Sequence, residues 1–263
     1  MPKHACIVEY KGESFLGFQR NGETKTVQKS LEETIQIVLR EPVKVYTAGR
    51  TDTGVHATGM VIHFSSTLEI SNFHKFVVGV NSLLHSEAAI LGITKVPETF
   101  HARFSCVARQ YEYWIYAGKY PRPLLENRAF CTHQRIDWDL FRSELQTLVG
   151  EHDFRAFSKT SSNREKSTIR EIQYVQLEAC SKIPGLFIVT IRANGFLHNM
   201  IRVLVGTLLD IAVGKKGNVP ILEILNQKNR TLSGKTLSPK GLYFVKAFYP
   251  FFPEIETLYG SIL

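Results

Sequence analysis

The sequence of 263 residues is poor in cysteine and contains no recognisable metal or cofactor motif. Its four cysteines, at positions 6, 106, 131 and 180, form no Cys-x-x-Cys pair, so neither a disulfide framework nor a zinc knuckle is expected. The nine histidines form no His-Glu-x-x-His pattern, and the glycines match no dinucleotide or phosphate fingerprint. Metal dependence is therefore not indicated.

Long apolar segments are also missing. No run approaches the roughly 20 apolar residues that a membrane-spanning helix needs. The N-terminal residues enter a strand-like segment directly and lack the apolar core of a signal peptide. These features predict a soluble, cytoplasmic protein with no membrane partner.

Positive charge is in excess, with 32 lysines and arginines against 24 acidic residues and a formal net charge of +8. This balance suits a polyanionic partner, above all a nucleic acid. Aromatic residues alternate with cations in two segments, which fits either base stacking or the core of a sheet. The residues concerned are Phe15, Phe18 and Arg20 in the first segment, and Arg109, Tyr111, Tyr113 and Trp114 in the second.

Hydrophobic periodicity predicts an α+β fold. The first part follows the order βαββαβ, with strands at 7–10, 43–47, 60–64 and 89–96 and helices after Thr26 and Ser71. The second part has strands at 109–116, 169–177, 186–193 and 242–249 and helices after Asp137, over 198–213 and from Asn218 to 225. In the same part we predict that the helix after Asp137 ends at Gly150, followed by a helical turn at 151–157 and a basic loop at 158–167. We divide the chain into halves at 1–105 and 106–263.

One candidate site is the segment GRTDTGVHA at 49–57, in which a single acid, Asp52, lies between two glycines. Apolar runs on both sides predict a loop held by two strands, which is a common place for chemistry. Asp and Thr beside Gly are also ordinary turn formers, and the loop alone favours that interpretation slightly. Asp52-Thr53-Gly54 matches the aspartic-protease triplet, but the chain contains no second copy to form a carboxylate pair.

Two further residues are candidates for the same site. His198 and Arg202 are four positions apart, so on a helix they share one face beside the apolar stripe. A partly buried Arg202 needs an anion, for which Asp52, Asp210 and Glu223 are candidates, and a structural or surface arginine is the alternative. Tyr111 could be a stacking platform or a core residue.

These features occur together with other motifs, which are spread over nearly the whole chain and follow the same order as in a known protein family. The motifs are YKGESFLGFQ (10–19), GRTDTGVHA (49–57), FHARFS (100–105) with Arg109, Tyr111 and Tyr113, GFLHNMIR (195–202) with Val205 and Gly206, and Gly241-Leu242 with Tyr249. In this order and spread, the sequence resembles the tRNA pseudouridine synthase A family.

The resemblance implies a fold and a reaction. The fold would be the pseudouridine synthase fold, two α+β halves with mainly antiparallel sheets flanked by helices and a central active-site cleft. The reaction would be isomerisation of uridine to pseudouridine at positions 38 to 40, in the anticodon stem-loop of tRNA. It needs no cofactor, and the enzyme would be a homodimer.

The resemblance also assigns roles to residues. Asp52 would be the nucleophile, Arg202 its partner, and Tyr111 both a platform for the flipped uracil and the group that takes the C5 proton. Arg50 would help fill the space that the uridine leaves, and His56 and Arg20 are the other expected substrate contacts. Two alternatives stay open: a non-catalytic RNA-binding protein and an aspartyl hydrolase built on Asp52.

Overall fold

The computed structural model describes residues 1–158, 167–217 and 219–262. Most of the loop predicted at 158–167 and the predicted cap Asn218 lie outside these ranges. The chain forms two compact units, residues 1–109 with 243–263 and residues 110–242. The sequence-based division at 105 differs from them mainly because the last strand and helix return to the first unit.

The predicted α+β class is confirmed. The strands are β1 (Lys3–Tyr10), β2 (Tyr46–Thr47), β3 (His56–Ser65), β4 (Ala88–Val96), β5 (Ala108–Ala117), β6 (Phe130–Thr132), β7 (Gly150–Asp153), β8 (Ile169–Ala179), β9 (Leu186–Ala193) and β10 (Leu242–Phe248). The helices are α1 (Val27–Leu39), α2 (Phe73–Leu84), α3 (Trp138–Gln146), α4 (Met200–Ala212), α5 (Ile221–Asn226) and α6 (Pro253–Ile262).

Each unit contains a mainly antiparallel set of strands. In the first, the order is β4-β1-β3-β10, with β2 paired to β3. Strand β1 is antiparallel to both β3 and β4, and β10 runs parallel to β3 so that Tyr243 lies opposite His56. In the second, the order is β5-β9-β8-β7, with the short β6 parallel to β5. The β7–β8 and β8–β9 pairs are antiparallel.

Two of the predicted helix caps are confirmed. The Thr26 side chain accepts from the Lys29 N–H at the start of α1, and Asp137 accepts from two N–H groups at the start of α3. Ser71 is the wrong cap for α2, because the side chain of Asn72 accepts from the Lys75 N–H instead. The N-cap residue of α5 is Pro220.

Four predicted boundaries are wrong. The strand expected at 43–47 shrinks to two residues in β2, and Gly150 opens β7 instead of ending α3. The segment 151–157 contains the rest of β7 before a single 3-10 turn at Phe154–Phe157. Helix α4 begins at Met200, because Asn199 has left-handed backbone angles (φ 63°) that cannot continue a helix. His198 therefore does not share a helical face with Arg202.

The degree of burial shows which aromatic residues belong to the core and which could stack on a base. Phe15, Phe18 and Tyr113 are 4%, 1% and 0% exposed, so they pack in the core and cannot stack on a nucleic-acid base. No helix within the described ranges is long and apolar enough to cross a lipid bilayer.

Candidate active site

Asp52 lies in the first unit, on the loop between β2 and β3, and its side chain is half-buried. Its carbonyl accepts from the Val55 N–H at 3.1 Å, so the segment does form a turn. The neighbouring Thr51 is buried and shares a 2.8 Å hydroxyl hydrogen bond with Tyr10 on β1. The turn and site interpretations are therefore compatible, since a tethered turn holds a carboxylate that solvent can reach.

The opening motif packs directly against this loop, and two of its glycines make that approach possible. A Cβ atom at Gly12 would lie 2.4 Å from the backbone of Val55, and one at Gly17 would lie 3.0 Å from the carbonyl oxygen of Thr51. The Phe18 N–H donates to that same oxygen at 3.0 Å. Backbone on both sides thus fixes the position of Asp52, and any larger residue at Gly12 would displace the loop.

His56 supports the loop from its other end. The ring is 3% exposed, accepts from the Gly12 N–H through Nδ1 at 3.1 Å, and stacks on Tyr243 of β10 with centroids 4.7 Å apart. These contacts join the opening motif, β3 and β10. They fit a supporting role for His56 better than direct contact with a large substrate.

The two arginines predicted to contact the substrate have different surroundings. Arg50 is exposed, two positions before Asp52. Arg20 is directed towards α1, where its Nη1 lies 3.3 Å from Glu32 and its backbone N–H donates to Gln28 at 2.9 Å. Arg50 is therefore the better candidate of the two for contact with a polyanion bound beside Asp52.

Arg202 lies in the second unit, in the first turn of α4, and is half-buried. Its Nε donates to the Leu237 carbonyl at 2.7 Å, and its Nη1 donates to Asn199 Oδ1 at 2.9 Å. The Tyr113 hydroxyl donates to the carbonyl of Ser238 at 2.6 Å, which fixes the same segment. Burial raises the pKa of Tyr113, and the positive charge of Arg202 opposes that rise.

The other acids considered for Arg202 have contacts elsewhere in the second unit. Asp210 lies 3.6 Å from Lys215 Nζ, and Glu223 accepts from the Gln227 side chain at 3.2 Å. These contacts weaken the case for either acid as the partner of Arg202.

Tyr111 lies on β5 in the second unit and is 9% exposed. Its ring packs edge to face against Phe196, with centroids 5.1 Å apart. Phe196 belongs to the motif that leads into α4, so one motif positions the rings of Tyr111 and Phe196 and the guanidinium of Arg202. A tyrosine fixed by an edge contact keeps a flat face and a hydroxyl for chemistry.

Sequence reasoning did not predict the supporting contacts of two residues. Arg109 donates to the carbonyls of Ala48, Cys106 and Arg103 at 2.8–3.2 Å, and so ties the approach to the Asp52 loop to the segment after residue 100. Asn199 combines a left-handed backbone with a hydrogen bond to Arg202. Asparagine is one of the few non-glycine residues that adopt this conformation readily, which was the available signal.

Within residues 1–158, 167–217 and 219–262, no group of three or more His, Cys, Asp or Glu side chains could hold a metal ion.

Comparison with known proteins gives a family match, curated relatives and structural neighbours. A protein-family model described as tRNA pseudouridine synthase matches residues 6–105 and 145–250. The chain is 48% identical to tRNA pseudouridine synthase A of Leptospira biflexa over 261 residues, which covers 98% of each chain. It is 39% identical to tRNA pseudouridine synthase A of Shewanella denitrificans over 247 residues, 94% of this chain and 92% of that one. A solved Cbf5–Nop10–Gar1 complex superposes with a TM-score of 0.39 at 13% identity, covering 92% of this chain and 49% of that one.

Proposed function

The chain belongs to the tRNA pseudouridine synthase family, and we propose that Asp52 is the nucleophile with which it isomerises uridine to pseudouridine in tRNA. The observation that carries the assignment is the half-buried carboxylate on a loop fixed by Gly12, Gly17 and Thr51. The relatives give no support to a hydrolase or to a non-catalytic RNA-binding protein.

The reaction rearranges bonds within one nucleotide. The bond from N1 of uracil to the sugar C1′ breaks, a bond from C5 to C1′ forms, C5 loses a proton and N1 gains one. No oxidant, reductant or energy source is consumed. A nucleophilic carboxylate must be ionised, and we assign to Arg202 the role of keeping Asp52 in that form.

The uridine has to leave its base-paired stem before reaction, which costs a few kcal/mol. In our proposal Arg50 enters the space that the base leaves, and Tyr111 stacks on the flipped uracil and accepts the C5 proton. His56 and Arg20 act through the Asp52 loop and α1, where their contacts lie. Family membership also supports a homodimer that works on tRNA in the cytoplasm.

We propose that the target uridines are those at positions 38, 39 and 40 of the anticodon stem-loop. With tRNA carrying tritium at uracil C5, the wild-type protein should release one tritium for each uridine at these positions. A tRNA with cytidine at all three positions is the matched control and should release none. Equal release from both substrates would contradict the assignment of position and leave the isomerase activity intact.

Asn199 should affect the rate through Arg202. Asn199→Gly keeps the left-handed backbone but removes the acceptor, so we expect kcat to fall about ten-fold, the equivalent of one hydrogen bond to a charged group, with little change in KM. Asn199→Ala loses the acceptor and strains the backbone, so it should lose the same activity and also a few degrees of Tm. Unchanged kcat in Asn199→Gly would limit Asn199 to a structural role.

A further inference from the structure

The first unit carries an exposed aromatic surface that the proposed chemistry does not use. We define the Phe104 patch as Lys44, Tyr46, His101, Arg103 and Phe104. Phe104 is 77% exposed and Tyr46 is 39% exposed. A large apolar ring that is exposed to solvent beside other aromatic and cationic side chains indicates a binding surface.

The rings of the patch form a continuous series. Tyr46 stacks on the buried His63 with centroids 4.9 Å apart and an interplanar angle of 17°. His101 packs against both rings, at 5.3 Å from Tyr46 and 4.6 Å from His63. Phe104 continues the series at 4.4 Å from His101. The series therefore ends in two rings that solvent can reach.

A cation lies over each exposed ring. Lys44 Nζ is 5.4 Å from the centroid of Tyr46, and Arg103 Cζ is 5.8 Å from that of Phe104. Flat rings that alternate with positive groups match the bases and phosphates of a single nucleic-acid strand. The combination favours RNA over the apolar surface of another protein.

Hydrogen bonds to His101, Ser105 and His63 hold the loop that presents Phe104. His101 Nδ1 accepts from the N–H groups of Arg103 at 3.1 Å and Phe104 at 3.4 Å, and Ser105 and His101 exchange two further hydrogen bonds. His63 Nδ1 accepts from the Ala102 N–H at 3.1 Å, and burial lowers the pKa of His63 to about 3, which keeps that acceptor unprotonated. Phe104 is thus held in place before any ligand arrives, so that binding would cost little ordering.

Hydrogen bonds from one arginine side chain link the patch to the Asp52 loop. The guanidinium of Arg109 donates from Nη2 to the Arg103 carbonyl at 2.8 Å and to the Ala48 carbonyl at 3.2 Å. One side chain therefore fixes both the loop that carries Phe104 and the approach to Asp52. An RNA that presents a uridine to Asp52 would bring neighbouring nucleotides to this part of the first unit.

We propose that the Phe104 patch is a stacking platform for an unpaired nucleotide of the tRNA whose uridine is isomerised. The base stacks on Phe104, and Arg103 and Lys44 contact the flanking phosphates. The inference rests on the proposed function, because the occupant is the tRNA substrate. A second copy of this chain is the competing occupant.

The test compares three variants by tRNA affinity and steady-state kinetics. Phe104→Ala should raise Kd and KM for tRNA about ten-fold, which corresponds to about 1.4 kcal/mol, and leave kcat within about two-fold. Phe104→Trp keeps a flat ring and should bind like wild type. Phe251→Ala is the matched control, because Phe251 is an equally exposed phenylalanine of the same unit, and it should change nothing.

Salt dependence separates stacking from charge. Arg103→Ala should reduce the slope of log Kd against log salt concentration by about one, whereas Phe104→Ala should weaken binding without changing that slope.

Two results would overturn the platform. The first is unchanged tRNA affinity in Phe104→Ala, and the second is a change of oligomeric mass in that variant by light scattering, which would make the patch a contact between copies. Failure of the proposed function is distinguishable, because wild-type protein would then form no pseudouridine even if tRNA binding still depended on Phe104.

Discussion

Asp52→Asn is expected to lower the rate of pseudouridine formation by at least about 10⁴-fold while tRNA affinity stays within about two-fold of wild type. Asparagine has nearly the same shape, and the turn is closed by the backbone carbonyl of residue 52, so the loop should keep its geometry. What is lost is the charge and nucleophilicity of the carboxylate. Single-turnover formation of pseudouridine and tRNA binding, measured on the same preparation, check both parts.

Removing a negative charge could itself strengthen RNA binding, so the experiment needs a charge control. Glu33→Gln removes one exposed acid on α1 of the same unit, and it should leave turnover unchanged. Asp52→Glu keeps the charge but moves the carboxylate by one methylene, so it should also be severely impaired. Turnover of Asp52→Asn within ten-fold of wild type would show that the nucleophile lies elsewhere.

The parts of the fold that were predictable depend on local signals. Thr26 and Asp137 cap helices by binding N–H groups two or three residues away, so a short window contains the whole interaction. The return of β10 to pair with β3 brings Tyr243 opposite His56, nearly 190 residues apart, and no local pattern encodes that choice. For the same reason, a division of the chain at residue 105 places β10 with the second half, whereas residues 243–263 group with the first unit in the structure.

In the candidate active site, the residues proposed to react were predictable from the sequence, whereas the residues that hold them in place were not. Asp52 and Arg202 stand in motifs whose residue types suggest a reaction, and the family resemblance gave them roles. Gly12 and Arg109 stood in the motifs without a supporting role. The close approach of Gly12 to Val55 and the hydrogen bonds of Arg109 involve backbone atoms, which every residue possesses, so the type of the neighbouring residue does not reveal them. Phe104 was missed because exposure, which distinguishes it from the buried Phe15 and Phe18, is a property of the fold.

Tyr111→Phe is expected to lower kcat by about 10² to 10⁴-fold, the range for losing one general acid or base, without weakening tRNA binding. The substitution removes one oxygen atom and keeps the ring that packs on Phe196 at 5.1 Å, so stacking should survive. Tyr116→Phe is the matched control: it lies on the same strand but packs in a separate core cluster with Leu125, Ala129 and Leu186. That control should retain wild-type turnover.

The Tyr111 experiment also divides two roles that the wild-type side chain combines. If Tyr111 both stacks and accepts the C5 proton, Tyr111→Phe should bind tRNA normally and release tritium slowly, whereas Tyr111→Leu should fail at both. If the hydroxyl is not the proton acceptor, Tyr111→Phe should release tritium at the wild-type rate and only Tyr111→Leu should be impaired. The second outcome would keep Tyr111 as a platform and require another group to take the proton from C5.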